Sequence, residues 1–516
     1  MLSAFLAGGY YESTYSLLCA AVWLGIAGVA ALHTPPRPSP SVWLLLALTA
    51  WTAFSALWGP AGPALRTWPL PALYAGVLFA AEWVAKASLA MPCKARAGSA
   101  GAGASSGPVL RVQRFAIEVV VLAGLVARAA GVAPTGGGPH SDRMGWPVTY
   151  ANGLGLLAVL GILLTAGLEL PRARLAAGGC AVLGAAAYLT FSRSALLVGA
   201  GAAALLVALR PAAARGIAGA GLGIAAVAVL DAFGGTSGAS LVPALAFGAA
   251  AAFALPPLHL RIARRVAIAG ALGLAVAAAF LAQPLAARFA APAPDTRDAH
   301  RLLDVSGHGR ADLWRAAWHE GADHPLLGGG AGSWPRAYAA QRGTLTGPAN
   351  AHSLYLETFA ELGIVGLALL VAALALSVRG PPAAIAVVAA YGAAAAIDWD
   401  WQLPAVTIPA LVAAGAGRVR RPPLRASLAL AAAALAVGVL AGLHGVGAAL
   451  VENGITTRSE ARLAARLLPY DARPWTALYT ATGERADLRR ACRADAGDLT
   501  LKREAYPIGG CSPSRR

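Results

Sequence analysis

Apolar runs of roughly 17–25 residues recur along most of the chain, separated by short polar loops. A run of that length can cross a bilayer as a helix. Spans are expected near 16–33, 42–58, 67–86, 115–133, 149–169, 175–191, 194–209, 216–232, 240–256, 266–283, 353–378, 383–398, 404–417 and 426–449. The pattern predicts an all-α polytopic membrane protein with about 12–14 transmembrane helices. The two runs around 383–417 are short and interrupted by Pro404 and Pro409, so they form one broken unit in this reading. Two stretches escape the pattern. They divide the chain into N-terminal membrane helices (1–283), a long polar loop (284–352), C-terminal membrane helices (353–450) and a polar helical tail (451–516).

Composition agrees with this class. Hydrophobic residues make up 58% of the 516 positions, charged residues 13%, and the mean hydropathy is +0.61; soluble domains carry about 25% charged residues. Ala and Gly dominate the runs, which favours close helix packing over strong individual hydrophobicity. The net charge of +17 is explained by topology rather than by nucleic acid. One alternate set of loops holds 18 Lys and Arg residues, from Arg37 to Arg425, and the opposite short loops hold only Arg66, Arg128, Arg143 and Arg193. By the positive-inside rule the first set is cytoplasmic. The N-terminus, the long loop and the tail are then outside. No basic region precedes the first apolar run, so no cleavable signal peptide is expected. Glu82 with Lys86, and Glu118 with Arg114, are spaced for neutralising pairs at span ends. Residues 93–108 read as a flexible linker. The five cysteines lack metal-ligand spacing, and no metal or other cofactor is expected.

On this topology the polar residues gather on one side. Six of the nine histidines lie outside: His140, His300, His308, His319, His324 and His352. Arg193 sits in a minimal turn flanked by Ser192 and Ser194. It suits either bidentate grip of a phosphate or snorkelling at a helix end. Residues 309–325 read as an amphipathic interfacial helix, with Leu313, Trp314, Ala317 and Trp318 on its apolar face and Arg310 near the headgroup plane. The Gly-rich stretch 326–335 that follows is not a P-loop, since no Gly-Lys-Ser/Thr follows it. His352 stands at the outer entry of a span, with Tyr355 one turn in and Glu357 and Glu361 on a shared face. An imidazole there suits a general base, and an intramembrane carboxylate is a functional candidate; the alternative is a capping His with a structural Glu. Tyr150 and Asn152 begin another span. Asp398 and Asp400 alternate with Trp399 and Trp401, either as solvated carboxylates in an aromatic belt or as a sugar-binding rim.

In this order the pieces resemble the O-antigen ligase family of bacterial integral-membrane proteins, which takes in O-antigen ligases, O-antigen-type polymerases and protein O-oligosaccharyltransferases. The matching pieces are Tyr150-Ala151-Asn152, Ser192-Arg193-Ser194, Gly309-Arg310 with Trp314, Pro325-Leu326-Leu327-Gly328 with Gly330, Ala351-His352-Ser353, and Glu361 with Gly363. The family commonly has Asn where this chain has Ser353. The resemblance implies transfer of a glycan from an undecaprenyl-diphosphate carrier to an acceptor hydroxyl, on the outer face of the cytoplasmic membrane, without metal or nucleotide. Arg193 and Arg310 are then expected to hold the diphosphate and His352 to be the base. Glu361, Tyr355, Asn152, Trp314, Asp398 and Asp400 are expected around the substrate. A single displacement implies inversion at the anomeric carbon. The other reading is a transporter or flippase for lipid-linked saccharides, which would place polar groups at mid-membrane and show repeated halves. Neither is visible in the sequence. The acceptor is left open: a glycan, a lipid or a protein hydroxyl.

The tail looks like one degenerate tetratricopeptide-like hairpin, broken at Pro469-Tyr470-Asp471-Ala472-Arg473-Pro474-Trp475. A single repeat cannot bury its own core, so it is expected to pack on the long loop or a partner. Cys492 and Cys511 both lie outside, where a disulfide is plausible chemistry.

Overall fold

A computed structural model describes residues 2–90, 107–132, 142–168, 173–234, 238–256, 287–291, 302, 304, 306–343, 348–417, 422–424 and 426–495. The expected span at 266–283, most of the linker at 93–108, and His140, His300 and Cys511 lie outside the described residues.

The described elements are helical, and the only strand-like feature among them is an isolated bridge between Pro36 and Pro423. In chain order the helices are α1 (Leu2–Phe5), α2 (Glu12–Leu32), α3 (Pro40–Phe54), α4 (Ala61–Thr67), α5 (Pro69–Ala90), α6 (Gly107–Ala129), α7 (Ala151–Gly167), α8 (Ala173–Leu189), α9 (Arg193–Leu209), α10 (Ala214–Ala232) and α11 (Leu241–Ala254). They continue as α12 (Arg310–Asp323), α13 (Trp334–Arg342), α14 (Leu354–Ala375), α15 (Pro382–Ala394), α16 (Pro404–Ala416), α17 (Ser427–Glu452), α18 (Arg458–Leu467), α19 (Ala472–Thr482) and α20 (Arg485–Ala494). Among the described residues, six helical stretches are long and apolar enough to cross a membrane: Glu12–Leu32, Pro40–Leu57, Ala61–Ala87, Pro211–Ala232, Leu354–Ala375 and Ser427–Glu452. Six shorter apolar helices, α7, α8, α9, α15, α16 and Gly238–Ala254, accompany them. The chain is an all-α polytopic membrane protein.

It folds as two compact units, each assembled from three chain segments. The first comprises Met1–Gly9, Val84–Asp312 and Ser377–Val419. Its centre is α7, which is apolar all round and buried along its whole length, as a helix without a polar face must be. It packs against α6, α8, α9, α10, α15 and α16. Small residues set the closest approach: a Cβ on Gly223 of α10 would lie 1.8 Å from the Ala181 carbonyl oxygen of α8. That is the small-residue contact by which membrane helices associate.

The second unit comprises Tyr10–Trp83, Leu313–Leu376 and Arg420–Arg516. Here α2 lies along α17, with Leu17 and Leu24 seated against Gly445 and Gly438. The tail forms three short helices, and its first, α18, begins with a Thr457/Glu460 capping box. The tail packs on α17 and is tied to α13 by an Arg336–Asp495 ion pair. Cys492 is disulfide-bonded.

A membrane helix of this unit is broken. Within α14, Gly363 takes φ 64 and ψ −166, a conformation open essentially to glycine alone. In a bilayer the backbone groups freed by such a break need partners, and the Gly-rich loop supplies them. Gly329 N–H donates to Ala360 O (2.9 Å), Gly330 N–H to Glu361 O (2.8 Å), and Ile364 N–H to Pro325 O (2.9 Å). Trp51 Nε1 donates to Leu362 O at 3.1 Å. The two glycine-bearing motifs, 325–330 and 361–363, are therefore two halves of one joint.

Candidate active site

In the first unit the polar centre is Asp398, which has no exposed surface. Its Oδ1 accepts from Tyr150 Oη (2.7 Å) and Trp399 N–H (2.9 Å). Its Oδ2 accepts from Asn152 Nδ2 (2.6 Å) and Arg310 Nη2 (2.9 Å). Tyr150 also lies against Trp399, with ring centroids 4.4 Å apart. Arg143 completes the group by donating to Asn152 Oδ1 and, from Nε, to Thr190 O at 2.9 Å. Asn152, Asp398 and Arg310 are thus brought together, and Asp398 is buried rather than solvated. Its carboxylate orients Arg310, whose Nε is buried without a hydrogen-bond partner among the described residues. Asp400 is 2% exposed. Burial, reinforced by the charge of Asp398 and only partly offset by Arg310, holds its carboxyl well above the usual range.

Arg193 opens α9 behind a Ser192 side-chain cap. Its guanidinium donates to Asp304 O and to Ser306 O (2.9 Å) and lies 3.6 Å from the Asp304 carboxylate. His308 Nε2 is 3.2 Å from the same carboxylate. Burial alone would raise the Asp304 pKa, but hydrogen bonds from Ser306 and the charges of Arg193 and His308 bring it below its ordinary value. Arg193 therefore anchors Asp304 and Ser306 of the long loop through their carbonyls and one carboxylate.

In the second unit His352 occupies a strained turn. Its φ is +53, a left-handed value that costs an L-residue of this type on the order of 1 kcal/mol or more. Its neighbours Ala351 (0%) and Ser353 (2%) are buried while His352 itself is half-buried. Ser353 caps α14 by accepting from Leu356 N–H. Glu357 accepts from Ala351 N–H at 2.6 Å, and Trp314 Nε1 donates to His352 O at 3.3 Å. Tyr355 is half-buried in the first turn of α14.

Glu361 is occupied elsewhere. It accepts from the backbone N–H groups of Trp334 (3.1 Å) and Gly332, so it fastens the Gly-rich loop to the broken helix. The helix beginning at Arg310 also differs from a simple interfacial helix. Ala316 and Ala317 pack with Trp334 and Ala360, and Trp318, 58% exposed, contacts Phe359.

A backbone signature unites these segments. Among the described residues, five that are not glycine have positive φ, and four of these are Thr149, Phe191, His308 and His352. Each lies just ahead of a helix: α7, α9, α12 and α14. Asn152, Arg193, Arg310 and His352 therefore stand at helix N-termini, where free N–H groups and the helix dipole favour an anion. Arg143 and Asp304 were not singled out by sequence reading. Arg143 was detectable as one of four arginines on the sparsely basic side, each of which has a specific partner: Arg66 near Asp471 (4.0 Å), Arg128 on Asp142 O (2.5 Å), and Arg143 and Arg193 as above.

Fold and site together define a polytopic all-α membrane protein with Arg193, Arg310 and His352 set at the starts of helices. Within it, residues 178–371 match the model of the O-Antigen ligase family, and the chain carries that family's domain. No curated protein matches the chain. Arg193, Arg310, Trp314, His352, Tyr355 and Glu361 lie inside the matched segment, while Asn152, Asp398 and Asp400 lie outside it. The family match supports a glycosyltransferase of the glycan ligase or polymerase type.

Proposed function

We propose that this protein transfers a glycan from an undecaprenyl-diphosphate carrier to an acceptor hydroxyl on the outer face of the bacterial cytoplasmic membrane. The acceptor oxygen attacks the anomeric carbon, the bond from that carbon to the diphosphate oxygen breaks, and the configuration inverts. His352 takes the hydroxyl proton as general base. Arg310 and Arg193 hold the diphosphate and stabilise the charge that develops on it as it leaves. A diphosphate is already a good leaving group, so the proposed step uses neither metal nor nucleotide.

The observation that carries this reading is the setting of Arg310 inside the O-antigen ligase match. Its guanidinium is fixed on a buried carboxylate that accepts from four donors, and its Nε has no acceptor among the described residues. A guanidinium held rigidly with a donor in reserve at a helix N-terminus suits a diphosphate.

The test is transfer by purified protein in detergent, with carrier-linked glycan as donor and no membrane gradient. His352→Ala and Arg310→Ala should each lower the rate by at least about a hundredfold, the scale of losing a general base or a fixed charge stabiliser, while leaving the amount of folded protein near normal. Arg193→Lys should also be impaired, because an ammonium cannot grip phosphate bidentately. Full activity in either alanine variant overturns the mechanism. Failure of the wild type to transfer any carrier-linked glycan overturns the function. Accessibility labelling of cysteines placed beside His352 tests the proposed outer location.

A further inference from the structure

We infer that Glu357 is a positioning residue for His352, acting through the backbone N–H of Ala351. This inference rests on the proposed role of His352.

Three observations lead to it. First, His352 holds φ +53, a region its side chain disfavours, so the turn persists only if its surroundings fix it. Second, both sides of that residue are fixed. Glu357 Oε2 accepts the N–H of Ala351 at 2.6 Å, and Trp314 Nε1 donates to the carbonyl of His352 itself at 3.3 Å. Third, burial separates the anchor from the group it aims. Glu357 is 4% exposed and Ala351 wholly buried, whereas His352 remains half-buried.

The chemistry explains why a carboxylate stands there. A buried carboxylate is costly in an apolar environment, and a leucine would fill the same space without that cost. What a leucine lacks is an acceptor. Glu357 Oε2 supplies that acceptor to the Ala351 N–H at 2.6 Å. Glu357 lies one helical turn beyond the Ser353 cap, so its side chain reaches back over the helix start to the residue before His352. A general base acts only within hydrogen-bond reach of its proton, and small displacements of such a group are expensive in rate. The carboxylate therefore sets where the imidazole stands.

The experiment compares Glu357→Leu and Glu357→Gln in the detergent transfer assay, each in the wild-type and in the His352→Ala background. The amide oxygen of glutamine still accepts the Ala351 N–H. We expect Glu357→Leu to lower kcat at least tenfold with KM within about twofold, and Glu357→Gln to keep most of the rate. In the His352→Ala background, Glu357→Leu should cost nothing further in residual rate. Folded protein measured by size exclusion normalises every rate. A Glu357→Leu enzyme with wild-type kcat overturns the inference, as does an equal further loss in the His352→Ala background, which would mean that the carboxylate acts elsewhere. A Glu357→Leu protein that does not fold is replaced by Trp314→Phe, which removes the other hold on the same turn. It should lower kcat by a smaller factor and likewise lose that effect once His352 is absent; an effect that survives the loss of His352 overturns the inference. An inactive wild type, or a fully active His352→Ala enzyme, counts against the proposed function and not against this positioning role alone.

Discussion

At the scale of single residues, Asp398 has the largest predictable effect. Four donors from two helix starts and one turn converge on its two oxygens, so its removal strands Arg310, Asn152 and Tyr150 together. Breaking a buried ion pair from one side costs roughly 3–5 kcal/mol. Asp398→Ala should lower thermal stability in detergent on that scale, and the loss should shrink when Arg310 is also alanine, because the stranded charge is then gone. Independent, fully additive losses would mean that the pair does not couple. Asp400 predicts the opposite sign. Burial and the charge of Asp398 raise its pKa in the fold, so its ionisation opposes folding as pH climbs above the ordinary carboxylate range toward that raised value. Asp400→Asn should therefore melt higher than wild type at neutral pH, and the advantage should vanish in acid, where both states carry the proton. A melting profile in which the variant gains nothing at neutral pH would contradict the burial argument.

At the scale of elements, the break in α14 separates what a sequence reveals from what it conceals. The apolar run that forms this helix is read directly from hydropathy, as are the other long spans. The break is not, because a glycine inside an apolar run has many explanations, and the one that applies depends on a loop more than thirty residues upstream. Gly363 cannot carry a side chain: its φ is +64, and a Cβ would lie 2.2 Å from the Leu326 carbonyl oxygen. Gly328 is equally confined, 2.3 Å from the Glu361 backbone. Gly363→Ala should cost more than about 2 kcal/mol, the combined scale of backbone strain and overpacking, and it should release the Gly-rich loop to limited proteolysis. Retention of wild-type stability would show that the loop and the helix do not interlock. The same limit governs the site. Arg193 and His352 stand out in sequence at the starts of spans, and Arg310 at the start of an interfacial helix. The partnership of Arg310 with Asp398 crosses 88 positions, and no spacing rule links them.

At the scale of the whole molecule, the tail is where chain order and packing part company. In sequence, residues 451–516 read as a polar helical tail that needs the long loop or a partner to cover its core. In the fold they belong to the unit built on α2 and α17. Arg473 donates to Glu12 at the start of α2 (2.9 Å) and is paired with Asp471. His444 of α17 sits between Tyr470 (2.6 Å) and Glu12 (2.9 Å). Close contact replaces side chains nearby: a Cβ on Gly62 of α4 would meet the Tyr470 carbonyl oxygen at 2.8 Å. The expectation of a tail that needs a surface to cover its core is thus met by these helices and by Arg336 on the long loop. Glu12 is nearly buried, with 12% of its side chain exposed, and Arg473 is its nearest permanent cation. Losing a charged hydrogen-bond partner of this kind costs about 1.5–3 kcal/mol. Arg473→Ala should destabilise the unit by that amount, with faster amide exchange in α18–α20 and at the first turn of α2 alike. Glu12→Gln in the Arg473→Ala background should recover part of the loss, since the carboxylate no longer stands without its guanidinium. If exchange quickens in the tail alone and α2 stays protected, the tail is an appendage after all, and the ion pair contributes nothing to the packing of the membrane helices.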